Sequence, residues 1–184
     1  MMKEVNGFRM EDITKAVEGF QNRPETAEFE WRVRNKWVKG GHNRSVIQDF
    51  YGGMQEDTTR AKAWELDNGE PPILLGGNEG PNPVEFVLHA LAGCMTTTMV
   101  LHAAAHGIAI DSVESTLKGD WNVRGMLGMD PGIRSGYQNI TVQFRITGDL
   151  TEDQRKELVR YTTMSPVFDI VSNPVPVSVD LDLV

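Results

Sequence analysis

The sequence predicts an α+β fold with antiparallel strands, and three observations carry that reading. Segments of period-two apolar alternation come in groups joined by short connections. One long, almost wholly apolar helical segment stands between the groups. The order is three strands, helix, two strands, helix, strand, instead of a regular alternation of strand and helix. Short links between neighbouring strands favour antiparallel meanders.

Met10, Ile13, Val17 and Phe20 recur at helical spacing with charges between them, so residues 10–20 form an amphipathic helix expected to pack on the main body. Pro24 and its neighbours end it. Phe29, Trp31, Val33, Asn35 and Trp37 alternate with Glu30, Arg32, Arg34 and Lys36, the pattern of a strand with one wet face. Residues 39–43 are a turn, 44–51 a second strand, Gly52-Gly53 a break, and 58–66 a third strand. A Gly- and Pro-rich loop runs over 67–81. Asn82 is a good N-cap, Pro83 suits the first helical position, and Glu85 falls at the acid of a capping box; Gly107 is the expected left-handed stop of the long helix. Residues 113–121 and 140–146 are strands around a Gly-rich loop over 124–136. Thr151 and Gln154 form a capping box for a polar helix to about Thr163. Ser165-Pro166 opens a short helical turn that Asn173-Pro174 closes, and Val175, Val177, Val179 and Leu181 form a last strand.

Several function classes are excluded or disfavoured. With 184 residues, 40% hydrophobic and 24% charged, the chain is one domain, or one domain with an appendage, and is not disordered over most of its length. One cysteine rules out an intramolecular disulfide and suits a reducing compartment, most simply the cytoplasm. A net charge of −8 argues against a nucleic-acid binder, and the bases beside Trp31 and Trp37 read as a wet strand face. The first ten residues hold no apolar signal core. The segment 84–107 contains Glu85, His89, three threonines and His102 and lacks flanking Lys or Arg, so it is expected to be a helix covered by protein on nearly all sides, not a membrane span.

Cys94 lies within the long helix among Ala92, Gly93, Thr96, Thr97 and Thr98, whose small side chains allow close approach by a substrate or another backbone. A lone cysteine is most often a small buried hydrophobe; a reactive one needs a cationic or hydrogen-bonding neighbour. His102 and His106, four apart, share a face, but no acid stands between them and no metal or cofactor is expected. His89 reads as a core or interface histidine. Gly76-Gly77-Asn78-Glu79-Gly80 lacks the phosphate-loop lysine and reads as a flexible lead into the helix. Met95, Met99, Met126 and Met129 are core filling or the walls of an apolar pocket.

Residues 80–86 (Gly-Pro-Asn-Pro-Val-Glu-Phe), 90–94 (Ala-Leu-Ala-Gly-Cys), His106-Gly107-Ile108 with Val113-Glu114, and Ser165-Pro166-Val167 through Asn173-Pro174-Val175-Pro176-Val177 resemble the OsmC/Ohr superfamily. The resemblance runs from about Trp37 to the carboxyl end. It implies an OsmC-like domain over 29–184 with a helical extension at 1–28, and an intertwined homodimer whose antiparallel sheets wrap around two central helices per subunit. Its studied branches are thiol peroxidases with a reactive cysteine, an activating arginine and glutamate, and a second, resolving cysteine. Position by position, the reactive cysteine matches Cys94, the second cysteine matches Ser165, and the glutamate matches Val84, with Glu85 one place later. The arginine matches either the region of Leu74 or Arg44. The implied function is reduction of an organic hydroperoxide in oxidative stress defence, with an external thiol as reductant. Cys94, Arg44 and His42 would do the chemistry, and Ser165, Val84, Glu85 and Thr98 would line the pocket. The other reading is a non-catalytic protein binding a small hydrophobic ligand on the same scaffold.

Overall fold

The structure is a computed structural model and describes residues 4–183. It is α+β with antiparallel sheets, and the chain divides into two compact units, Arg9–Val87 and Glu4–Phe8 with residues 88–183.

The second unit opens with β1 (Glu4–Val5) and β2 (Phe8–Arg9), a tiny hairpin turned by Asn6 and Gly7 at positive φ; β2 ends on the first residue of the other unit. The Asn6 side chain donates to the carbonyl of Ile108 and accepts from the Ile110 amide, both at 2.9 Å, so it does the work of a peptide group in a strand ladder.

In the first unit, α1 (Met10–Asn22) forms where the apolar spacing predicts it. The expected packing on the body is not there: none of its residues is buried, and Val17 and Phe20 remain exposed. Strand β3 (Phe29–Glu30) and strand β4 (Arg34–Lys39) replace the single strand expected over 29–37. Strands β5 (His42–Ile47) and β6 (Phe50–Gly52) likewise replace the one expected over 44–51. Of the third strand, expected over 58–66, only residues 64–66 are extended, in β8 (Trp64–Asn68), and β7 (Gln55–Asp57) forms just before that range. The strands sort into two sheets, β3-β6-β7 and β4-β5-β8. The cause is a slip in register. Arg34 pairs with Val46, while Glu30 pairs with Tyr51, so residues 31–33 on one strand face 47–50 on the other. Three against four is the signature of a bulge, which bends the ladder.

The loop before the long helix is knit together by hydrogen bonds. Gly69 N–H donates to Pro81 O at 3.1 Å, Asn78 N–H to Glu70 O at 3.0 Å, and the Asn82 side-chain amide to the Glu70 carboxylate. Gly76 and Gly80 lie so close to the backbone of Glu70 and Asp67 that any side chain at either would collide with it.

Helix α2 (Pro83–Ala105) starts at the predicted capping box and ends at Gly107, whose φ of 71° needs glycine's freedom. Ile108 N–H reaches back to Ala103 O at 2.8 Å, closing the helix end. Beyond it come β9 (Ser112–Asp120), the one-turn helix α3 (Val123–Met126) within the expected loop, and β10 (Asn139–Thr147), paired antiparallel with β9 over nine residues. Helix α4 (Glu152–Thr162) carries its predicted capping box, and α5 (Pro166–Ser172) is capped by Ser165. The core joins Met99, Ala103, Ile108, Leu158 and Tyr161, with Phe144 and Ile146 against it. Within this chain α2 buries only Leu91, Met95, Met99, Ala103 and Ala104; the cover expected on its other sides includes a partner subunit's. One expectation fails within the chain. The last strand is absent among the described residues: 174–183 forms no ladder, and Val177, Val179 and Leu181 are exposed, because no neighbouring backbone offers them hydrogen bonds.

Candidate functional site

Cys94 stands at the midpoint of α2, half-buried and free. Helical spacing turns Met95 and Met99 into the core and leaves Cys94 and Thr98 on a half-buried flank. Among the described residues its thiol has no hydrogen-bond partner. In the same unit, Met95, Met99, Val142, Phe144, Ile146, Val159 and Thr162 line an open, mainly apolar pocket of about 230 Å³. Met126 and Met129 are exposed on the loop after β9 and do not line it.

Ser165 is fully buried, and its Oγ accepts from the Phe168 amide at 3.2 Å, which fixes it as the cap of α5. Val84 and Glu85 serve the start of α2. The Val84 amide donates to Asn82 Oδ1 and the Asn82 amide donates to Glu85 Oε2, each at 2.9 Å. The Glu85 carboxylate is thereby spent on capping.

His42 and Arg44 are brought together by a residue the sequence reading passed over. Asp67 sits directly across from Arg44 in the β5–β8 ladder. Its Oδ1 accepts from Arg44 Nε at 2.8 Å and its Oδ2 from Nη2 at 3.0 Å, a two-pronged pair, while His42 Nε2 lies 2.8 Å from Oδ1. Arg44 first, then His42, holds the Asp67 carboxyl down at about 2. The signal was a cross-strand pair of opposite charges, invisible while Asp67 was assigned to a loop. Leu74, the other arginine-equivalent position, lies in a 3₁₀ turn, Pro72–Leu74.

A second cluster was also missed. The rings of His102 and His106 both stack on Tyr161, at 5.2 and 5.3 Å, and the Arg160 guanidinium lies 4.9 Å from the same ring while pairing with Glu157 at 2.6 Å. His106 Nδ1 donates to the His102 carbonyl at 2.8 Å. Burial, and then the nearness of His106 and Arg160, lowers the pKa of His102; burial raises that of Tyr161. The two histidines therefore hold an aromatic stack. Among the described residues no group of three or more His, Cys, Asp or Glu side chains is arranged to hold a metal. His89, expected in a core or interface, is exposed in this chain.

Fold and site together define an antiparallel α+β protein built on one long apolar helix that carries a lone thiol. Residues 76–180 match the OsmC-like protein family, and the chain belongs to it. Among solved structures it is similar to an OsmC-like protein from Mycoplasma pneumoniae, at 16% identity and a TM-score of 0.59 over 79% of this chain and 89% of that one. It is also similar to an organic hydroperoxide resistance protein OsmC from Legionella pneumophila, at 17% identity and 0.56 over 80% and 92%. A third, an OsmC-like protein of unknown function from Vibrio cholerae, aligns at 10% identity and 0.52 over 76% and 92%. At these identities the likeness is one of fold. No curated protein matches the sequence.

Proposed function

We propose that this protein reduces organic hydroperoxides with Cys94 as its only redox thiol. The observation that carries the reading is Cys94 itself: free, half-buried and at the centre of the helix that the family match spans. The Cys94 thiolate attacks the terminal peroxide oxygen, the O–O bond breaks, and the alkoxide leaves and takes a proton as the alcohol. Cys94 is left as a sulfenic acid. Ser165 occupies the place of the family's second cysteine, so an external thiol condenses with the sulfenic acid, releasing water. A second thiol then frees Cys94 and departs as a disulfide. Such a reductant suits the cytoplasm. The resemblance gives Arg44 the part of the activating guanidinium with His42 beside it, and the proposal keeps it. The proposal also includes a homodimer. Its support is the long, largely apolar α2, with only five of its 23 residues buried, and the uncovered alternation of residues 175–183.

The test is turnover of cumene hydroperoxide with a dithiol. Wild-type protein is expected to consume peroxide while Cys94→Ser does not; equal rates for the two defeat the reading. Sedimentation should show a dimer, and a monomer at micromolar concentration would remove that part.

A second reading is favoured by the open apolar pocket of about 230 Å³: storage or transport of a small hydrophobic molecule without chemistry. Native mass spectrometry of gently purified protein would show a bound apolar molecule, and Cys94→Ser would retain it. Empty protein from every preparation would count against this reading.

A further inference from the structure

The register slip in the first unit does more than bend a strand. No backbone hydrogen bond joins residues 31–33 to 48–49 among the described residues, and the gap is a cleft of about 160 Å³ between the two sheets. Arg32, Arg34, Val46, Gln48, Asp49 and Glu56 line it. Four of the six are charged, and they divide into two kinds. Arg32 and Glu56 satisfy each other through paired hydrogen bonds of 2.9 Å. The side chains of Arg34 and Asp49 have no hydrogen bond or ion pair among the described residues, and their charged atoms stay more than 4.0 Å from one another.

Opposite charges that share a small cleft without meeting form a template for a molecule with both charges. A second feature agrees. Gln48 is pinned by Arg60, whose Nη1 donates to the Gln48 carbonyl at 2.8 Å and whose own carbonyl accepts from the Gln48 side chain at 3.4 Å. The bulge strand is thus held in place beside the cleft. Arg60 is anchored in turn over Phe50, at 5.0 Å from the ring centroid, and Phe50 stacks on Trp31 at 4.5 Å. The volume equals about five waters at roughly 30 Å³ each, room for a ligand of about five to ten heavy atoms. Bulges are favoured places for binding sites because they re-aim side chains out of the ladder.

We propose that the bulge cleft binds a small zwitterion of the amino-acid class, its carboxylate on the Arg34 guanidinium and its ammonium on the Asp49 carboxylate. Val46 provides a short apolar wall and disfavours bulky side chains. The site is separate from the thiol chemistry and stands or falls without it.

Isothermal titration calorimetry on the full chain tests this with glycine, L-serine and L-glutamine, and with acetate and ethylammonium as half-ligands. At least one amino acid should bind saturably, and each half-ligand about tenfold or more weakly, because each keeps one charge-assisted contact of two. Arg34→Gln and Asp49→Asn should each weaken the amino acid about tenfold, with unchanged far-ultraviolet dichroism. Arg34→Lys, which keeps the charge, should retain part of the affinity. Absence of saturable binding by all three amino acids overturns the proposal. So does acetate binding as tightly as the amino acid, which would leave a plain anion patch, or either neutralising variant binding like wild type.

Discussion

The two units solve the problem of stability differently. Every buried apolar side chain among the described residues, from Val5 and Leu91 through Met99 to Leu158 and Tyr161, belongs to the unit of Glu4–Phe8 and residues 88–183. The unit of Arg9–Val87 has none. It is held by strand ladders, by the stack of Phe29, Trp31 and Phe50, and by ion pairs such as Arg32–Glu56 and Arg44–Asp67. Trp31, Trp37 and Trp64 remain more than half exposed. Surface ion pairs contribute little each and stacked rings about 0.5–1.5 kcal/mol. A strand pattern thus specifies backbone pairing without guaranteeing that its apolar face is covered.

Mutations can break this contrast. The largest effect is expected from Met99→Ala, at the centre of the core: a loss of about 2–5 kcal/mol in urea unfolding. Trp37→Ala in the other unit should stay within about 0.5 kcal/mol if that face is open to water; a cost like that of Met99→Ala would show that something covers it in solution. Thr151→Ala removes the reciprocal cap of α4 and should cost about 1 kcal/mol.

Acid should act on the two units in different pH ranges. The Asp67 carboxyl titrates at about 2 when folded, below its ordinary 3.8, so the stability it confers is complete above pH 4 and is lost as pH falls through 2. Carboxyl carbon NMR should show this low midpoint in the wild type and its return toward the ordinary range in Arg44→Gln. His102 is a base whose pKa is lowered on folding, so its neutral form is favoured in the native state. Stability should be complete above pH 6.5 and decline as pH falls below it, and His102→Gln should flatten that slope in pH-dependent thermal melts. The smallest effect is expected from Val17→Ala on the uncovered α1, within about 0.5 kcal/mol by the same unfolding assay.

Much of the second unit was legible because each boundary has a local chemical signature. Gly107, Thr151 with Gln154, and Ser165 before Pro166 all mark helix ends with groups that satisfy or free the backbone, as Asn82 with Glu85 does at the close of the first unit. The strands of residues 112–120 and 139–147 announce themselves by alternation. The first unit was less legible for a physical reason. Alternation continues across Trp31–Val33 even though the partner strand carries one extra residue, and a single strand's sequence holds no record of its partner's register. The Asp67 pairing with Arg44 was hidden by the same gap in information. Cys94 was found through family resemblance; its surroundings gave composition but no geometry. Residues 175–183 have strand periodicity and no ladder, which shows that periodicity describes a capacity to pair that a second backbone must complete.

The clasp made by Asn6 has a consequence for biosynthesis. The carbonyl of Ile108 and the amide of Ile110 meet a side chain made about a hundred residues earlier, so Asn6 settles into its contacts only after residue 110 has been made. Loss of the Asn6 side chain would strip two hydrogen bonds from the segment that follows α2.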